Sequence, residues 1–201
     1  MNNLINSADV RGPQFPNSQA EIGPLHVYLA QLTGEPFLFA RISYGDELTL
    51  HFGQIRESAS PKLKDRRYGA YVVSFRGSDW IFKSGQTPVI LGSMFGRHVL
   101  DGLSDPRAMT KNEIRQGGMV EEGSRVVTAT PFVWGRVGGT GIQLVMSDGS
   151  TIVAIPESPE AVHESADGFP ELASWELLGP YGILKVGPGV KWEFAPVKEV
   201  A

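Results

Sequence analysis

Ile22, Leu25, Tyr28, Leu29 and Leu32 recur three or four positions apart, the spacing that lines one face of an α-helix. Pro24 suits a first turn, where its missing N–H costs nothing, and Gly34 followed by Pro36 ends the run, so the pattern predicts one short amphipathic helix. After Pro36 the period shortens toward two. "FLFARISYG" is β-branched and aromatic, and in "DELTLHFG" Leu48, Leu50 and Phe52 alternate with Glu47, Thr49 and His51, as in a strand buried on one face. That alternation turns His51 away from the core and predicts a solvated imidazole. "YGAYVVSFRGSDWIFKSG", "TPVILGS", "SRVVTATPFVWGRV", "TGIQLVMSDGSTIVAIPE", "ASWELLGPYGILKVG" and "VKWEF" continue the strand-like pattern, with Asp148-Gly149 a hairpin turn signal. Residues 1–17 carry no periodicity and read as a flexible arm. In the least regular part, 96–124, Thr110 and Glu113 form a capping box for a short helix that Gly117 would end.

One spacing recurs. Leu48-x-Leu50-x-Phe52 is followed by Ser78-Asp79-Trp80 and then Gly92, and Ile142-x-Leu144-x-Met146 by Ala173-Ser174-Trp175 and then Gly187. The first apolar residue precedes its Trp by 32 positions in one copy and 33 in the other, and the later Gly follows at 12 in both, which argues for an internal duplication. The fold expected is therefore mainly β: a sandwich or barrel-like body made from two related β-meanders, with a short N-terminal helix. Residues 18–201 would form a single domain from two halves, about 37–95 and 130–192, packed through their apolar faces. Trp80 and Trp175 would occupy matching framework positions inside it.

Composition agrees with many short elements: 24 glycines and 14 prolines in 201 residues supply abundant turns. A net charge of −4 excludes a strongly basic surface, so nucleic acid is not the expected partner. Without cysteine there is no disulfide, thiolate site or cysteine nucleophile, which suits a reducing cytoplasm. No apolar stretch is long enough to span a bilayer, and the N-terminus does not read as a signal peptide, so a cytoplasmic protein away from membranes is expected. Charge is segregated locally. Residues 54–76 carry six basic side chains against two acidic ones, while 137–184 contain seven acidic residues and no Lys or Arg. In the duplicated plan these read as matching loops of opposite sign, able to steer a partner.

The second half also resembles a known style of domain. The "GIQLVMSDGSTIVAIPE" strand pair, an acidic gap, "ASWELLGPYGILKVGPG" and its Gly-Pro-Gly resemble small bacterial β-rich domains found among polymorphic-toxin immunity proteins. The resemblance is limited to residues 142–189, and this chain departs from it by an expanded acidic loop and an extra N-terminal half. It implies a β-rich fold and no catalytic residue that could be carried over.

Catalytic chemistry finds little to stand on. His26, His51, His98 and His163 show no metal-ligand spacing, and no G-x-S-x-G elbow exists. Ser78 and Asp79 are neighbours on a strand and face opposite sides. The loops "GRVGGTG" and "VGPG" feed strands rather than a helix N-terminus, so they do not cradle phosphate. No cofactor is expected. The function read from these features is non-catalytic binding of another protein, in the manner of an immunity-type or regulatory partner, a toxin being one such target and self-association another use of the same loops. An acidic loop of Glu157, Glu160, Glu164, Asp167 and Glu171 and a basic loop of Lys62, Lys64, Arg66 and Arg67 would carry it. The alternative is a small-molecule-binding protein or hydrolase with a cleft between the halves, using His51, His98 and Asp105.

Overall fold

The computed structural model of the chain describes residues 22–42, 47–57, 67–76, 78–84, 87–92, 120, 123–134, 139–156, 174–187 and 192–197. Helix α1 (Leu25–Leu29) runs on as a 3₁₀ turn (Ala30–Leu32), and eleven strands follow: β1 (Phe37–Ile42), β2 (Leu48–Glu57), β3 (Arg67–Phe75), β4 (Ser78–Ser84), β5 (Thr87–Gly92), β6 (Val126–Trp134), β7 (Gly139–Met146), β8 (Ser150–Pro156), β9 (Trp175–Gly179), β10 (Gly182–Val186) and β11 (Trp192–Pro196). They form two antiparallel sheets, ordered β1-β2-β3-β9-β10-β11 and β5-β4-β8-β7-β6, and the protein is mainly β without a closed barrel. No helix among the described residues is long and apolar enough to cross a membrane.

The helix forms where the periodicity placed it. Ile22, Leu25, Tyr28, Leu29 and Leu32 are all 2% exposed or less, and Tyr28 stacks on Phe194 of β11 with ring centroids 4.6 Å apart. The five apolar positions are thus one face of a short plug laid against the strands.

The sequence read "YGAYVVSFRGSDWIFKSG" as one strand-like run, yet it is two strands in different sheets. β3 ends at Phe75, the chain crosses over at residues 76–77, and β4 begins at Ser78 in the second sheet. The second half does the same: β6, β7 and β8 lie in the second sheet, and β9, β10 and β11 in the first. The first half therefore gives three strands to one sheet and a hairpin to the other, and the second half gives three strands to each. The halves interleave rather than packing as two separate meanders.

Register shows how closely the two plans agree. Leu48 lies opposite Phe75, which lies opposite Trp175; Ile142 lies opposite Ala154, which lies opposite Trp80. The ladder of β1 with β2 slips between Phe37 and Phe39, and that of β6 with β7 slips between Val126 and Thr128, the corresponding place. The later glycine is one position out: Gly92 lies opposite Trp80, whereas Val186, not Gly187, lies opposite Trp175.

At one corner the halves meet head to head. Pro36 and Arg125 form an isolated antiparallel bridge, and three backbone bonds around it recur with the halves exchanged. Gly34 N–H donates to the Val126 carbonyl and Gly123 N–H to that of Phe37; Val126 N–H donates to Glu35 and Phe37 N–H to Ser124; Gly53 N–H donates to Pro36 and Ser147 N–H to Arg125. Backbone groups at the joint are thereby satisfied without either sheet closing on itself.

The core lies between the sheets. Trp175 is fully buried on the first, and its indole Nε1 donates to the Thr140 carbonyl of β7 in the second at 2.9 Å; Trp80 is 2% exposed. Both rings are framework, as expected. The charged loops, however, are not counterparts. The basic segment joins β2 to β3, whose equivalent in the second half is the tight β7–β8 turn, and the acidic segment joins β8 to β9, whose equivalent is the short crossover at 76–77. The expectation of matching loops with opposite sign fails because equal Trp spacing hides one long insertion in each half at a different joint.

Candidate functional site

β2 and β3 are the longest neighbouring strands of the first sheet, and their ladder slips between Phe52 and Ile55. Gly53 takes the left-handed region there, φ +83°, as a bulge requires. Opposite it, a Cβ on Gly69 would sit 2.5 Å from the Phe52 carbonyl oxygen and 2.6 Å from the Phe52 nitrogen. Two residues without side chains thus let the end of the hairpin bend onto the outer face of β1 and β2, bringing Tyr68 and Gly69 against His51 and the Arg67 carbonyl against Arg41. Gly69→Ala is expected to cost about 1–3 kcal/mol through this backbone clash, read as a lowered thermal midpoint together with a shifted His51 imidazole resonance. An unchanged midpoint and resonance would contradict the bend.

His51 is not solvated. It is 1% exposed, although Leu50 and Phe52 on either side face the interior. The Phe39 ring lies 4.3 Å from the imidazole centroid and the Tyr68 ring 6.1 Å. The neighbouring outward Val72 is only 9% exposed and lies outside the main core cluster. The outer face of the sheet therefore carries a second, small apolar cluster, and strand alternation alone cannot reveal one.

The Gly69 N–H donates to His51 Nδ1 at 3.2 Å, so Nδ1 is the unprotonated nitrogen and Nε2 bears the hydrogen. His51 Nε2 is buried with no hydrogen-bond partner. Burial, reinforced by the positive charge of Arg41, holds the imidazole at a pKa of about 4. It is neutral at pH 7, with Nδ1 engaged, and so has no free lone pair for general-base work.

Arg41 covers this cluster. Its Cζ lies 4.9 Å from the Phe39 ring centroid and 5.8 Å from that of Tyr68, and its Nη2 donates to the Arg67 carbonyl at 2.9 Å. Among the described residues no carboxylate forms an ion pair with Arg41. Beside β1 runs an open cleft of about 350 Å³ lined by Phe39, Ala40, Arg41 and Ile42. Four consecutive strand residues point alternately to both faces, so a cleft touching all four follows the strand's edge.

Of the candidate site residues read from sequence, His51 and Arg67 lie among those described, Arg67 exposed at the start of β3. Lys62, Lys64 and Arg66 lie outside the described residues, as do Glu157, Glu160, Glu164, Asp167 and Glu171, and likewise His98, Asp105 and His163. No group of three His, Asp or Glu gathers at metal-binding distance among the described residues. Phe39 and Arg41 escaped the sequence reading. The available signal was Gly53, which marks a bulge inside a longer strand rather than its end.

The chain matches no protein-family model, no curated protein and no solved structure.

Proposed function

We propose that the protein is a non-catalytic binding protein, an immunity-type or regulatory partner that engages another protein through charged surface segments. The filled interior carries this reading. The space between the sheets, where a cleft between the halves would lie, is occupied by Trp80, Trp175, Phe52, Phe75, Leu48 and Ile142, each at most 2% exposed. A substrate site of ordinary size needs several hundred Å³ of concave space with convergent polar groups. The described polar cluster, around His51, instead has its imidazole capped by rings and neutral. Arg41, without a carboxylate partner among the described residues, stands on a strand that is terminal in its sheet, which suits recognition of a partner.

Replacing Glu157, Glu160, Glu164 and Glu171 together by Lys tests the acidic half of the reading. Capture of the native partner from source cells should be abolished, with the thermal midpoint within a few degrees of wild type, since substitutions of one charged residue by another outside the packed core cost little each. Undiminished capture would remove the acidic segment from the interface.

We further infer that the two halves descend from one duplicated unit. The support is the shared register of Leu48 and Ile142, the slips at corresponding positions in β1 and β6, and the bonds that recur around Pro36 and Arg125 with halves exchanged.

A further inference from the structure

We propose that the edge of β1, which pairs with no further strand among the described residues, is a docking strand for an extended, acidic segment of a partner protein; this rests on the binding function proposed above and assigns it a site. Unpaired strand edges are templates for a further strand, and proteins usually block them. Four strands are terminal in the two sheets: β1, β11, β5 and β6. β5 contains Pro88, β6 Pro131 and β11 Pro196, each lacking the N–H that strand addition needs. β1 contains no proline. The contrast is sharpest against β6, its counterpart. Ile42 lies opposite Leu48 as Pro131 lies opposite Ile142, so the position closed in one half is open in the other.

The cleft follows that open edge. It touches Phe39, Ala40, Arg41 and Ile42, beyond the stretch of chain at Pro36 and Phe37 that the corner bridge already engages. Its two faces differ chemically. Ala40 and Ile42, 5% and 7% exposed, belong to the core side, so alternate residues of an added strand on that side should be apolar or small. On the other side stands the Arg41 guanidinium, over the Phe39 and Tyr68 rings. Residues on that side should be carboxylates, which an arginine fork binds well. The arrangement is strand addition with alternating specificity.

The test uses the full chain and a fluorescein-labelled octapeptide, Thr-Glu-Val-Glu-Thr-Glu-Val-Glu, followed by fluorescence anisotropy. Saturable binding is expected, weakened at least about tenfold in Arg41→Gln, and lost when Lys replaces Glu in the peptide or when alternate peptide nitrogens are methylated. The methylated peptide acts on the unaltered chain, so the test survives a misfolded variant. Absence of saturable binding would overturn the proposal, as would equal binding of the methylated peptide, which would mean charge attraction without strand pairing. A concentration-dependent dimer that the peptide dissociates would replace the partner segment with a second copy of this chain. Native-partner capture that persists in Arg41→Gln would remove β1 as the site while leaving the binding function intact.

Discussion

Trp175→Ala should lower the thermal midpoint by roughly 10 °C, the largest effect of any single substitution considered. The ring is fully buried and its Nε1 hydrogen bond to the Thr140 carbonyl ties the first sheet to the second. Truncating a buried Trp costs about 3–5 kcal/mol, because the transfer free energy of the ring is lost and the cavity relaxes only in part. For a chain of this size each kcal/mol displaces the midpoint by about 2–4 °C. Trp175→Phe should retain much of the packing and lose the hydrogen bond, giving a smaller fall. Scanning calorimetry on the three proteins decides it; a drop below about 2 °C for Trp175→Ala would mean that the ring is not a core element.

Acid should destabilise the protein through His51. The folded-state pKa is about 4, against 6.5 for a free imidazole. A base whose pKa is depressed on folding binds fewer protons folded than unfolded in that interval, so its stabilising contribution is complete above pH 6.5 and is lost as pH falls toward 4. Over the full interval the loss amounts to roughly 3 kcal/mol. Gln at position 51 can accept from the Gly69 N–H and does not titrate. Urea unfolding at pH 4 to 7.5 should therefore show a stability difference between wild type and His51→Gln that narrows steadily as pH is lowered. A pH-independent difference would show that the imidazole is not buried neutral, and direct NMR titration of its ring protons gives the same answer by another route.

The interior was largely legible in the residues. Helical spacing picked out the five buried positions of the segment 22–32, and the Leu48 and Ile142 alternations, with Trp80 and Trp175, found four of the rows that meet between the sheets. These signals are local: a period of two or 3.6 is written in neighbouring side chains. What stayed hidden was non-local. Crossover at residues 76–77 leaves almost no composition signal, since a strand continuing and a strand changing sheets look alike over two residues. His51 was misplaced for a related reason. Alternation correctly assigns it to the outer face, but burial there depends on the hairpin end that Gly53 and Gly69 allow to bend back, which is a tertiary event. Arg41 and Phe39 gain their significance only from that bend and from lying on a terminal strand.

Interleaving of the halves has a consequence for how the chain is made. β3 must wait for β9 and β4 for β8, so nothing emerging from the ribosome up to residue 92 can finish either layer. The nascent first half exposes two unfinished strand borders until most of the second half has been synthesised. Maturation is then a late, concerted event dominated by distant pairings, slow by comparison with helical proteins of equal length, and a cell that makes this protein must shield those borders while it waits.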